Sequence, residues 1–234
     1  MNVVISQSML FPWVGTLEQI KLADVFIHLD DVALSLSART RRVQIKTEKG
    51  FAWMTVPLKN FHRGQKIQEV RIDTEQSWKA KHIALLNESF QGRPYRDEAV
   101  SMVKNLYSQS YSNIGDLARE SMILLSRYFE ISCDTQFFHA AELGCAGTKT
   151  ERLVNLVKAV GGSTYITGLG ALEYLEQDIF HDQGIDVRYM EYRKRPYPQG
   201  FGVFNPFISG LDLIANCGRG GAEYICSTAG EGKN

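Results

Sequence analysis

Gln7 closes a short apolar run, and the stretch Gln7-Ser-Met-Leu-Phe-Pro-Trp-Val-Gly15 that it opens is too apolar for an ordinary surface loop. A side chain at the end of a strand points off the carboxyl edge of its sheet, where open α/β folds bind ligands. Pro12 fixes the turn, and Gly15 lets another group approach the backbone closely. The stretch therefore reads in two ways: a ligand site, or a corner sealed by Phe11, Pro12 and Trp13. Asp30-Asp31 ends the next apolar run. Paired carboxylates there can hold a metal, accept sugar hydroxyls or act as a general base, or they cap a turn. A basic run follows, with Arg39, Arg41, Arg42, Gln44 and Lys46. Strand alternation would put Arg42, Gln44 and Lys46 on one face, opposite Val43 and Ile45. Such a row suits phosphate; its plainer reading is a solvated strand face.

The remaining reactive residues carry weaker signals. His82 stands one helical turn beyond Trp78, and a histidine on an apolar helix face is commonly a satisfied core residue. His28 alternates with Phe26, while His62, His139 and His181 have no evident partners. Gly168-Leu-Gly170 follows one apolar run and opens another, a pattern that fits an anion-binding helix start or a tight turn. There is no Gly-x-Ser-x-Gly elbow and no P-loop. The strand–loop–helix at residues 2–23 invites comparison with the nucleotidyltransferases whose His-x-Gly-His motif holds ATP phosphates. Here the equivalent residues are Trp13-Val14-Gly15-Thr16, and without either histidine that phosphate neutralisation is lost. Cys133, Cys145, Cys217 and Cys226 show neither metal-ligand spacing nor a histidine partner, so they read as reduced thiols of a cytoplasmic protein, with no metal expected.

The elements that must position these residues follow from periodicity. Apolar runs at 2–6 and 25–29 predict buried strands around a helix at 17–23. Residues 43–47 and 52–57 alternate as strands about the turn Glu48-Lys49-Gly50, and 67–72 alternates with a slip of one. Helical spacing then takes over at 77–90, 97–107 and 114–129. Further strands are expected at 135–140, 164–167 and 185–192, with helices at 151–160, 171–182 and 211–215. Thr148-Lys-Thr-Glu151 is a capping-box pattern. Repeated strand–helix–strand units predict an α/β fold, a largely parallel Rossmann-like sheet flanked by helices with a helical section at about 77–129. A single domain over 1–218 with a flexible tail over 219–234 is the expected organisation. Lysine plus arginine, 26, equals aspartate plus glutamate, 26, so no overall field favours nucleic acid or an anionic membrane. Neither a signal peptide nor a membrane-inserted span is expected.

The opening "ISQSMLFPWVGTLEQIKLADVFIHLDDV" resembles the start of the WbqC-like family: a strand ending in Gln, an aromatic-Pro-Trp-x-Gly loop, then Ala-Asp-Val and an Asp-Asp pair. "RRVQIKTEKGFAWMTVPL" is similar to the family's arginine strand and its Trp-x-Thr-Val-Pro, and "SWKAKHIALL" to its Trp…Lys-His helix. "TERLVNLVKAVGGSTYITGLGALEYL" and "SGLDLIANCG" resemble its later segments. The resemblance spans roughly residues 3–218. Ser8, where the family has proline, and Arg41 and Val43, where it has asparagines, depart from it. It implies a bacterial protein of surface-polysaccharide (O-antigen) biosynthesis, an acyl or aminoacyl transferase, for example of glycine, acting on a nucleotide-linked amino sugar. A non-catalytic sugar-nucleotide or carrier-protein binding subunit is the other reading. An acyl donor on phosphopantetheine, as coenzyme A or an acyl or peptidyl carrier protein, is the implied co-substrate. Carried over residue by residue, His82, Asp30, Asp31 and Gln7 would be catalytic. Arg42, Lys46, Tyr165, Gly168, Tyr174, Asp212 and Asn216 would bind substrate, with Arg42 and Lys46 on a diphosphate or carrier phosphate.

Overall fold

A computed structural model describes residues 1–230. Its centre is a six-stranded sheet in the order β5-β2-β1-β6-β7-β8. The strands are β1 Asn2–Ser6, β2 Val25–His28, β5 Gln136–His139, β6 Thr164–Gly168, β7 Asp186–Glu191 and β8 Thr228–Gly230. The first five pair in parallel, and β8 runs antiparallel at the edge. The chain steps outward from β1 through β2 to β5, returns to the other side of β1 at β6, and continues to β7. The order thus reverses between β1 and β6, which is the switch point of a doubly wound sheet.

Period-two alternation explains why both faces are covered. Val4 and Phe26 enter the core beneath α1 (Val14–Leu22), α4 (Ile114–Tyr128) and α7 (Gly210–Cys217). Their neighbours Val3, Ile5, Val25 and Ile27 enter the opposite core, with Leu156 and Val157 of α5 (Lys149–Ala159) and Phe180 of α6 (Gln177–His181). A sheet so buried cannot expose its middle, so ligand access is left to its ends.

The long excursion between β2 and β5 holds the hairpin and the helical section. It contains the separate hairpin of β3 (Arg42–Thr47) and β4 (Gly50–Thr55), then α2 (Trp78–Ser89), α3 (Arg96–Ser108) and α4, the expected helical section. The hairpin register pairs Gln44 with Trp53 and Lys46 with Phe51, while Val43, Ile45 and Met54 are buried on the other face.

Four local expectations are corrected. Residues 67–72 form no strand: Ile67–Glu69 is a 3-10 turn that buries Ile67, followed by single bridges from Arg71 to Asn113 and from Ile72 to Leu58. The helix expected at 171–182 is broken into a 3-10 segment, Leu169–Glu173, and the short α6. Thr148 is the N-cap of α5, but its side chain makes no capping bond, so the capping box does not form. Beyond Gly218 the chain is organised rather than a bare tail. A 3-10 segment runs Gly218–Tyr224, Ile225 is fully buried, and the Glu18 carboxylate accepts the N–H groups of Cys226 and Ser227. Burial raises the Glu18 carboxyl pKa against those bonds. The last part of the expected tail, 231–234, lies outside the described residues.

Candidate functional site

Gln7, immediately after β1, stands at a cavity of about 850 Å³ that opens between the carboxyl ends of β1 and β6. That volume is in the range of a small-molecule site. The floor is Val4, Ile5, Tyr165 and Ile166; Gln19 of α1 and Thr167 continue it. The far wall is Gly147-Thr148-Lys149-Thr150 with Arg152, and Tyr174 and Glu176 form the rim. Gly147 and Lys149 both have positive φ, 103° and 48°, so the backbone coils tightly into α5. Because no side chain caps this helix, its first N–H groups and the positive end of its dipole remain beside the cavity. Arg152 pairs with Asp31, linking the end of β2 to the same wall. The crevice thus carries cationic groups, amide and hydroxyl donors, and one exposed ring, Tyr174.

The loop that presents Gln7 is held by a buried polar knot. Ser8 N–H and Oγ donate to the two Asp30 oxygens at 3.0 and 2.7 Å, and Arg119 Nη2 donates to Asp30 at 3.3 Å. Since the Ser8 proton is committed to Asp30, His28 Nδ1–H donates to Ser8 Oγ at 2.9 Å. His28 is fully buried beside Arg119 and His139; burial first, and those charges second, lower its pKa to about 3. Asp30 therefore fixes the corner instead of facing the cavity. Farther along, Phe11 has φ 39°, a strained value for a bulky residue. Its N–H donates to Ser121 Oγ and its carbonyl accepts from Ser209 Oγ, at 2.8 and 2.9 Å, so neighbouring elements enforce it.

Trp13 closes the corner, edge-on to Tyr192 at 4.8 Å and tilted on Phe207 at 5.4 Å. A Cβ on Gly15 would fall 2.4 Å from two Trp13 ring carbons. Gly15→Ala is expected to lose about 1–3 kcal/mol, because a ring wedged between two others has little room to yield. A urea midpoint unchanged from the wild type would show that the ring moves freely.

The other residues named from the sequence are divided among separate places. Tyr165 lies on the cavity floor with its ring stacked on Phe180 at 5.0 Å, and Tyr174 is at the rim. Gly168 follows Thr167 beside Gln19 and has φ −82°, so no glycine-specific conformation is needed there. His82 is not at the crevice. It is buried, with Nε2–H donating to the Thr55 carbonyl at 3.0 Å and Nδ1 accepting from the Tyr107 hydroxyl at 2.9 Å. Burial lowers its pKa to about 4, which outweighs the raising effect of the Thr55 bond. Lys46 is buried too, donating to Gln199 Oε1 and the Val203 carbonyl at 2.8 and 2.6 Å. Asp212 accepts from Tyr197 at 2.8 Å, and Asn216 donates back to the Asp212 carbonyl at 2.7 Å. These three form a support at α7. Arg42 lies apart on the hairpin, 4.3 Å from the Trp53 ring centre. Among the described residues, no group of three or more His, Cys, Asp or Glu side chains is arranged to hold a metal, and no helix is long and apolar enough to cross a membrane.

Strand order and cavity together define a doubly wound α/β protein with a ligand-sized crevice at its switch point. The chain belongs to the WbqC-like protein family, which it matches over residues 7–224. It is 31% identical over 229 residues to the uncharacterized protein Rv1507c of Mycobacterium tuberculosis, covering 96% of this chain and 97% of that one. No solved structure matches the chain.

Proposed function

We propose that the switch-point crevice binds a nucleotide-linked amino sugar, and that the protein serves surface-polysaccharide biosynthesis by acyl or aminoacyl transfer onto that sugar. The cavity of about 850 Å³ at the carboxyl ends of β1 and β6 carries this reading. It pairs an apolar floor with the α5 N-terminus, Lys149 and Arg152, a composition suited to a nucleoside and its diphosphate. In this reading Tyr174 stacks on the base, Gln7 donates its amide to a sugar or acyl oxygen, and Glu176 takes the proton from the sugar amine. Glu176 replaces His82 and Asp30 in that role, since both of those have their polar atoms engaged inside the fold.

The engagement of His82 and Asp30 also favours a second reading, a sugar-nucleotide binding subunit that presents its ligand to a separate transferase. Calorimetric titration of the full chain with a UDP-linked amino sugar tests the shared claim. Tyr174 is exposed, so Tyr174→Ala should fold normally yet weaken binding by roughly tenfold, the effect of one lost base-stacking contact. Equal affinity in the two proteins would remove the nucleotide from the crevice. Adding an acyl-coenzyme A and following amide formation on the sugar then separates transferase from binding subunit.

A further inference from the structure

Three arginines, Arg39, Arg41 and Arg42, lie on and beside the hairpin. Arg39 and Arg42 both lie over the Trp53 ring, at 5.0 and 4.3 Å from its centre. Arg41 is close enough for the Arg42 charge, after burial, to lower its pKa, and Arg39 is affected in the same way. Among the described residues, where eight ion pairs occur, none of the three has an acidic group within ion-pair distance. The Nε atoms of Arg41 and Arg42 are buried without an acceptor. Among the described residues the Arg42 guanidinium makes one hydrogen bond, a long one of 3.4 Å to the Ser37 carbonyl. Trp53 itself is partly exposed.

Partly desolvated like charges repel, and buried guanidinium donors without acceptors are costly. A fold that keeps such a cluster does so against its own stability unless an anion completes it. Guanidinium forks match phosphate oxygens in pairs, and one indole holds two of the forks against its ring. Lys46 on the same hairpin face is not part of this arrangement, because Gln199 and Val203 consume its donors.

We infer that Arg39 and Arg42 over Trp53, with Arg41 next to them in the chain, form a second anion site, separate from the switch-point crevice, that takes a diphosphate group. The diphosphate can come from a nucleotide or from the coenzyme A form of an acyl donor. The crevice is also suited to a diphosphate, so loss of binding in the arginine variants, rather than binding itself, assigns the anion to the hairpin.

The test is calorimetric titration of the full chain with inorganic pyrophosphate, with far-UV circular dichroism to verify folding of each variant. Arg42→Gln should weaken binding by roughly tenfold or more, because a bidentate charged contact is lost. Arg39→Gln, at the other position over the indole, should act in the same direction and stands in if Arg42→Gln folds poorly. Competition then identifies the source: displacement by coenzyme A points to the acyl donor, and displacement by UDP to a nucleotide. Wild-type affinity in both arginine variants, or displacement by neither competitor, would overturn the inference.

Discussion

Asp30→Ala is expected to lose about 3–5 kcal/mol of folding stability, the usual cost of removing one partner of a buried ion pair. The carboxylate is 3% exposed and accepts from Ser8 N–H, Ser8 Oγ and Arg119, so its removal strands three donors at once. Arg119 is almost as deeply placed, 11% exposed, and keeps only the Asp116 carboxylate as counter-charge. Ser8 follows Gln7 directly, so releasing it frees the side chain at the crevice mouth as well as the fold. Asp30→Asn should lie between the two, because the amide oxygen still accepts one Ser8 bond while its NH₂ faces Arg119 donors. Urea midpoints of the three proteins measure this. An unchanged midpoint in Asp30→Ala together with lost turnover would return Asp30 to a chemical role and refute the structural one.

Much of this arrangement was legible in the sequence, for reasons that particular residues make plain. Both β1 and β2 are short apolar runs ended by polar residues, and the turn between Lys46 and Phe51 announces itself by Glu-Lys-Gly. Local patterns of that kind depend on neighbours a few positions away. Gln7 was readable at the carboxyl edge of the sheet because a strand end fixes direction. The 67–72 segment misled because Ile67 and Val70, three apart, satisfy a 3-10 turn as well as a slipped strand. The break in 171–182 follows no residue that forbids a helix; Tyr174 and Leu175 close back on the Ala171 carbonyl instead.

The far wall of the crevice was hidden for a different reason. Arg152 meets Asp31 across 121 residues, and no spacing rule connects positions so far apart. The signal that existed was Gly147-Thr-Lys-Thr before a helix, a glycine-led helix start following a strand, which also reads as a plain cap. His82 shows the opposite failure. Trp78 and His82 at helical spacing described a buried ring pair correctly, 5.2 Å apart, and the family motif then drew the histidine toward chemistry. The family resemblance assigned it a role that its two hydrogen bonds leave no free atom to perform.

Those two bonds and the Ser8 knot make acid the second strong perturbation. His28 and His82 have pKa values lowered to about 3 and about 4, so the folded protein keeps both imidazoles neutral well below the ordinary histidine value of 6.5. In the unfolded chain each takes a proton as pH falls through about 6.5. Between there and the folded values, the unfolded state therefore binds more protons, and stability must fall as pH falls. Each histidine contributes a slope of up to about 1.4 kcal/mol per pH unit in this window. Two acting together would remove roughly 3 kcal/mol per unit near pH 5, a large share of a typical domain's stability. Glu18 and Asp212, whose carboxyl pKa values burial raises, work in the other direction, because their folded forms hold protons longer. The difference between wild type and a histidine variant cancels that background. Replacing the ring by an amide, His82→Gln keeps a donor for Thr55 and an acceptor for Tyr107 while removing the titration. Its unfolding free energy, measured by urea at pH 7, 6, 5 and 4.5, should start below that of the wild type and converge on it as the solution becomes more acid. Parallel curves would mean that His82 titrates in the folded protein as it does in the unfolded chain, contrary to its place between the Thr55 carbonyl and the Tyr107 hydroxyl.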